Sequence, residues 1–278
     1  MSERLEVRKT YKMFVGGGFP RSESGRSYPV HDSSGSLLAN AVRASRKDVR
    51  DAVVAARKAW PKWAAATAYN RGQVLYRVAE MMETRRADLE REVAAAEGKG
   101  ASSQVDEAID SFVYYAGWTD KLAQVAGNLN PVAGPYFNLS APEPMGIVGL
   151  VAVEKPSLAH VAARLAAVMC GGNIAVALAS EEHPLPLLAL CECIATADVP
   201  PGVVNVLTGR KDELVPVLAA HLDVDALDVT GVPDELRAEA ERLGAENVKR
   251  LVAATSLRSP YEVTALMEIK TVWHPKGA

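Results

Sequence analysis

The chain has 278 residues, 49% of them hydrophobic, enough to bury a sizeable core in one large α/β domain or one domain with a small appendage. A formal net charge of −3 and the lack of any basic run argue against nucleic acid and anionic membrane as partners. Three cysteines make no disulfide framework, Met1–Thr10 has no apolar signal region, and no stretch nears the roughly 18 apolar residues of a membrane helix, so a soluble, cytoplasmic protein is expected.

Met13-Phe14-Val15, the glycines Gly16 to Gly18, and Tyr28-Pro29-Val30 read as a hairpin followed by a loop. Ser45-Arg46-Lys47-Asp48 resembles a capping box, and Val49, Ala52, Val53, Ala56 and Trp60 follow at helical spacing until Pro61 ends or bends the helix. A second long helix is predicted over Arg71–Ala96, with Val74, Leu75, Val78, Met81 and Met82 as its core stripe, and a third over Gln104–Val125. Asn128–Pro144, broken by Pro131, Gly134, Pro135, Pro142 and Pro144, reads as an exposed arm or edge hairpin.

From Met145 onward, strands and helices alternate. Strands are predicted at Met145–Val153, Ile174–Leu178, Val203–Leu207, Ala226–Val229 and Val248–Ala254. Helices are predicted at Leu158–Met169, Leu185–Ala195, Glu213–His221 and Glu235–Leu243. That rhythm implies right-handed crossovers and a mostly parallel sheet with helices on both faces. Tyr261–Leu266 and Glu268–Trp273 alternate with period two, which predicts a half-exposed strand bent at Met267.

A sheet of this kind binds ligands at the carboxyl ends of its strands. A dinucleotide site there normally carries G-x-G-x-x-G after the first strand, but this chain has Glu154-Lys155-Pro156-Ser157. The P-loop motif is absent as well. Cys191 and Cys193 are two apart, so a helix points them to different faces. With Cys170 they read as buried structural thiols rather than metal ligands or nucleophiles. No metal site is expected.

Longer phrases carry a family resemblance. Glu143-Pro144-Met145-Gly146-Ile147-Val148-Gly149 resembles the EPxGVVG entry to the cofactor domain of aldehyde dehydrogenases, and Pro200-Pro201-Gly202-Val203-Val204-Asn205-Val206 resembles their PPGVVNVV strand. Val229-Thr230-Gly231 resembles FTGS, Ala245–Arg250 resembles AAxNLKRV, Tyr115–Lys121 resembles YAGWADK, and Glu97-Gly98-Lys99 resembles xGKP. The phrases keep family order from about Phe14 to Arg250. The resemblance implies a Rossmann-like α/β domain over residues 1–128 and 143–256, with a small β oligomerisation arm over 129–142 and 257–278.

The departures from the family pattern concern chemistry. The asparagine that holds the oxyanion in the family matches Lys155, and the ribose-gripping lysine of KPSE matches Leu178 in Leu178-Ala179-Ser180-Glu181. The FTGS serine matches Val232, a following glycine matches Leu236, and the general-base glutamate falls near Ala254. A degenerate cofactor site is therefore expected near Lys155, Leu178, Ser180, Glu181, Gly209, Gly231 and Val232, with no catalytic residue. Losing hydrogen bonds worth on the order of 1.5–3 kcal/mol each predicts weak or absent NAD binding. The catalytic domain that carries the family's nucleophile has no counterpart: Thr255-Ser256-Leu257-Arg258 leads straight to Ser259–Pro275, which resembles the family's C-terminal KTVWxP segment. This passage is similar to the catalytically deficient second module of class 16 aldehyde dehydrogenases.

Three readings stand at this point. One is a non-catalytic subunit that assembles with a full-length aldehyde dehydrogenase, or with itself, through Pro131–Ala141 and Tyr261–Pro275. The second is an NAD(P)-dependent oxidoreductase acting on aldehydes with an altered active site. The third is a truncated gene product.

Overall fold

The computed structural model describes residues 9–277, so most of the charged segment Met1–Thr10 lies outside the described residues. The first strands are β1 (Thr10–Tyr11), β2 (Ser27–His31) and β3 (Leu37–Val42), in the order β1-β3-β2. The hairpin is β2–β3, and its turn is fixed by the Asp32 carboxylate, which accepts the Ser34 and Ser36 amides. Met13–Val15 lies outside that hairpin: Val15 bridges to Gly18 across a tight turn at Gly16 and Gly17 rather than pairing with Tyr28–Val30. Phe14 bridges to Val206, stitching this segment to the main sheet.

Helix α1 (Arg46–Ala64) starts at the expected capping box, with Ser45 and Asp48 each accepting from the other's backbone. It does not end at Pro61. The ring removes one backbone donor, but Trp63 beyond it is buried and the Ala65 amide bonds back to the Pro61 carbonyl, so packing carries the helix onward. The expected single helix over Arg71–Ala96 is two, α2 (Ala68–Thr84) and α3 (Arg86–Glu97), joined at Arg85 (φ −109°, ψ 20°). The expected Gln104–Val125 helix is likewise α4 (Ala101–Trp118) and α5 (Leu122–Ala126). After the breaks, α3 still buries Leu89, Val93 and Ala96, while α5 buries Leu122 alone.

Strands β4 (Asn128–Asn130) and β5 (Tyr136–Pro144) come next, and then the regular alternation begins. It runs β6 (Ile147–Val151), α6 (Ala159–Cys170), β7 (Ile174–Leu178), α7 (Leu185–Ile194), β8 (Val204–Leu207), α8 (Lys211–Ala220), β9 (Ala226–Asp228), α9 (Asp234–Ala245) and β10 (Arg250–Val252). The five strands form a parallel sheet in the order β10-β9-β6-β7-β8. Every residue of β6 and β7 is buried, because α1 and α8 cover one face and α6 the other. Alanines 162, 163, 166 and 167 keep α6 slim enough to lie between the sheet and α4.

The tail corrects the strand reading of Tyr261–Leu266. Pro260–Thr264 is a short helix, α10, opened by Ser259, whose hydroxyl accepts the Tyr261 amide. Only Met267–Pro275 is a strand, β11, and it pairs antiparallel with β5 of its own chain along nine positions. Together β11, β5 and β4 make a separate three-stranded sheet. Pairing alternates its faces: Leu129, Phe137, Leu139 and Val272 share one, while Tyr136 and Trp273 stack edge-on at 5.8 Å on the other. Most of these side chains are exposed.

Candidate functional site

The strand order reverses between β6 and β9, so a crevice opens outside their carboxyl ends. Ala152 follows β6 and Gly231 lies just beyond β9, and their backbones touch: a Cβ on Gly231 would collide with the Ala152 carbonyl. Lys211, the first residue of α8, reaches into this place. Its Nζ donates to the Ala152 carbonyl at 2.6 Å and the Gly231 carbonyl at 3.1 Å, and it pairs with the Glu154 carboxylate. Lys211 is only 4% exposed.

Glu154 is held from three sides. Besides Lys211, the Ser180 hydroxyl donates to it at 2.6 Å and the Glu182 amide at 3.0 Å. Burial pushes its pKa up, but the hydrogen bonds from Lys211, Ser180 and Glu182 outweigh burial and hold it below the ordinary carboxylate value. On the other flank, Glu181 accepts the Lys211 amide at 2.9 Å and pairs with Arg210 at 2.7 Å. First-turn amides are where a helix offers donors to a phosphate. Here the chain's own carboxylate takes one, and Asp212 and Glu213 add negative charge to the same turn.

The residues singled out from sequence therefore divide. Ser180, Glu181 and Gly231 come together in the crevice, joined by Glu154 and Lys211. Gly209 (φ +150°) lies against the Ala44 backbone just before α8. Leu178 closes β7 as a buried apolar side chain, and Val232 is buried with its amide bonded to Val229. Lys155 is exposed. Its neighbour Ser157 turns inward, donating its amide to Glu97 at 2.8 Å.

Several groups that could face a dinucleotide here are already engaged: Leu178 offers no donor to a sugar, Glu181 accepts the first amide of α8, and the Lys211 side chain bonds to the Ala152 and Gly231 carbonyls. The thiols supply no nucleophile. All three are buried, and burial pushes Cys170 up to about 12 and Cys193 up to about 11, with Cys191 also raised. A groove of about 890 Å³ opens between α1, α8 and α9; its lining includes Ser24, Ser45 and His221, but Ser24 bonds to Ser22, Ser45 to Asp48, and His221 Nδ1 accepts the Asp223 amide, so these bonds do not join a serine to the histidine. Among the described residues no three His, Cys, Asp or Glu side chains are grouped to hold a metal, and no helix is long and apolar enough to cross a membrane.

Sequence reasoning missed Lys211 and the role of Glu154. The signal was present as two charged residues set close behind apolar strands at the same end of the sheet. A second cluster was also missed. Arg164 is the one charged residue within the buried helix α6, and it pairs with Asp228 and Glu262, each at 2.5 Å. A lone arginine among alanines requires buried carboxylates, but sequence does not say which ones.

Residues 19–273 match the aldehyde dehydrogenase family. Human retinal dehydrogenase 2 is 32% identical over 264 residues, covering 92% of this chain and 50% of that protein. Cytosolic aldehyde dehydrogenase 1 of Elephantulus edwardii is 29% identical over 269 residues, 94% of this chain and 53% of that protein. HpcC from Thermus thermophilus superimposes with a TM-score of 0.84 at 28% identity, covering 88% of this chain and 48% of that one. An aldehyde dehydrogenase from Bacillus cereus in complex with NAD+ gives 0.81 at 26% identity, covering 88% and 50%. The chain thus spans about half the length of the curated relatives it matches.

Proposed function

The chain belongs to the aldehyde dehydrogenase family, and on that footing we propose that it is a non-catalytic subunit, a pseudoenzyme that assembles with a complete aldehyde dehydrogenase or, failing that, with a second copy of itself. The observation that carries this reading is the self-filled crevice. Lys211 and Glu154 occupy the switch point between β6 and β9, and Glu181 occupies the amide at the start of α8. Aldehyde oxidation needs a thiolate, a hydride acceptor and a deacylating base. The buried thiols and the filled crevice argue against the first two. The class 16 second module is the family relative this reading takes as its pattern.

Assembly in this reading runs through the sheet of β4, β5 and β11. Outer strand edges with exposed apolar side chains invite pairing with another chain. Leu139, Ile269, Val272 and Trp273 are each about half exposed.

The test has two arms. The purified chain is mixed with aldehyde and NAD, and no NADH is expected to form. The chain lacking Glu268–Ala278 is then compared with the full chain by light scattering, alone and with a complete aldehyde dehydrogenase. This boundary matters, because cutting at Ser259 would also remove the buried Glu262, Val263 and Leu266 and unsettle the body. The full chain is expected to form the larger species and the shortened chain to lose it. NADH formation, or unchanged assembly by the shortened chain, would overturn the proposal.

A further inference from the structure

The chain passes from β10 to α10 through Ala253–Ser259, and this passage is built into a buried polar cluster. The Arg164 guanidinium on α6 donates one nitrogen to Asp228 at the end of β9 and another to Glu262 on α10. Arg164, Asp228 and Glu262 are each 5% exposed or less. One cation between two carboxylates leaves an excess negative charge, and donors from the passage and its flank offset it. The Thr230 amide and hydroxyl donate to Asp228. The Thr255 amide and hydroxyl and the Ser256 amide donate to Glu262 at 2.8 to 3.0 Å. The Thr230 hydroxyl oxygen also accepts the Ala254 amide.

The next turn is fixed from outside. The Tyr115 hydroxyl donates to the Leu257 carbonyl at 3.0 Å, and Arg258 pairs with Asp110 and Glu107 on α4. Beyond α10, the Asn173 amide nitrogen donates to the Leu266 carbonyl and Arg250 donates to the Met267 carbonyl. Val263, Leu266 and Met267 are buried, and after Met267 every residue of β11 is exposed. Glu262 thus lies at the point where the chain stops being body and becomes arm.

We propose that the Arg164–Asp228–Glu262 cluster is a joint that lets the chain run directly from the sheet into the arm, and that Glu262 is a positioning residue setting how the arm leaves the body. Its role in assembly rests on the function proposed above, but the joint itself is a property of the single chain. One carboxylate does two jobs here. One oxygen ties the Thr255–Ser256 turn, and the other ties α10 to α6. A turn whose backbone amides are held by one buried carboxylate is a local unit whose opening can be read separately from global unfolding.

The experiment is amide hydrogen exchange on the single chain, comparing Glu262→Ala and Glu262→Gln with the unmodified protein. In Glu262→Ala, Thr255, Ser256 and Met267–Pro275 are expected to exchange at least about tenfold faster, while β6 and β7 keep their protection. Glu262→Gln keeps an acceptor for the Thr255 and Ser256 amides and is expected to lose less than the alanine variant. If the alanine variant does not fold, the glutamine variant is read in the same way, with a smaller rise confined to the same segments. Unchanged exchange in β11, or a rise in β6 and β7 as large as that in β11, overturns the joint. Because no partner is present, a faster arm in a chain that never assembles keeps the joint and removes the assembly reading instead.

Discussion

The carboxyl end of the parallel sheet and the three-stranded arm are built on opposite rules. At the sheet end, charged groups find opposite charges within the chain: Lys211 with Glu154 and two carbonyls, Glu181 with the start of α8, Arg164 with Asp228 and Glu262, while one Arg164 nitrogen and both His183 ring nitrogens stay buried without a hydrogen-bond partner. The arm leaves its surface unpaired, with one buried residue in the nine of β11 and apolar side chains facing outward on both faces. The difference separates two ways a surface is put to use. On the proposed function, the closed end resists ligands and the exposed strand edges and apolar rows of the arm take a partner.

Four sets of measurements sharpen this contrast. The largest expected effect is Arg164→Ala, which strands two buried carboxylates. It should cost about 3–5 kcal/mol, seen as a lower urea midpoint. A cost under about 1 kcal/mol would mean that the cluster is not the tightly closed unit its geometry describes.

Lys211→Ala comes next. It leaves the Ala152 and Gly231 carbonyls and Glu154 without their shared donor, and a loss of about 1–3 kcal/mol is expected by thermal melting. Calorimetry on the same variant should still find no low-micromolar NAD site, because Leu178 and Glu181 remain. Tight NAD binding after this one change would reduce the closed crevice to a single plug.

Acid should weaken the sheet end in two stages. His183 is held below its ordinary value of 6.5, first by burial and then by nearby Lys155, so the unfolded chain takes up that proton more readily and stability begins to fall below about pH 6.5. Glu154 and Glu262 are both held below 4.5, since their hydrogen bonds and cationic partners outweigh the upward push of burial. Their contribution is complete above 4.5 and is lost as pH falls through 4.5 and then through the lower folded values. Urea midpoints between pH 3 and pH 8 measure this, and a flat profile below pH 4.5 would contradict it. Glu154→Gln should flatten the lower stage.

The smallest effect on stability belongs to the arm. Trp273→Ala and Val272→Ser remove exposed side chains and should move stability by no more than about 0.5 kcal/mol. The same changes should weaken assembly with a complete aldehyde dehydrogenase by about tenfold or more, since an interface concentrates its energy in a few aromatic and apolar anchors. If they destabilise the folded chain instead, the arm is packing surface and the contrast between the two regions disappears.

Much of this was legible in the residues. Apolar runs within Met145–Val153 and at Ile174–Leu178 read as strands covered on both faces; the first is trimmed to Ile147–Val151, and the boundaries at β7 coincide with those expected. Ser45 and Asp48 announced α1 because a capping box is a local device, settled within four residues. The break at Arg85 left no mark, because nothing in Met81–Asp88 is a helix breaker. The chain turns there because α2 and α3 each pack on α4 and α7. The tail misled for a related reason. Tyr261–Leu266 alternates like a strand, but Glu262 and Val263 are drawn inward by Arg164 and the α6 face, which makes that stretch a helix.

The sequence by itself determined the parallel α/β architecture, the family and the departures from the family's phrases, because those follow from periodicity and from phrases read one after another. Only the tertiary structure decided which charges meet at the carboxyl end of the sheet. Lys211 lies 59 residues from Ala152 and Glu262 lies 98 from Arg164, and no periodicity spans such separations. Those pairs form because the sheet brings the carboxyl ends of its strands to one edge. A buried charge there must find its opposite within hydrogen-bond reach or bear several kcal/mol of desolvation, and the fold selects which residue answers it.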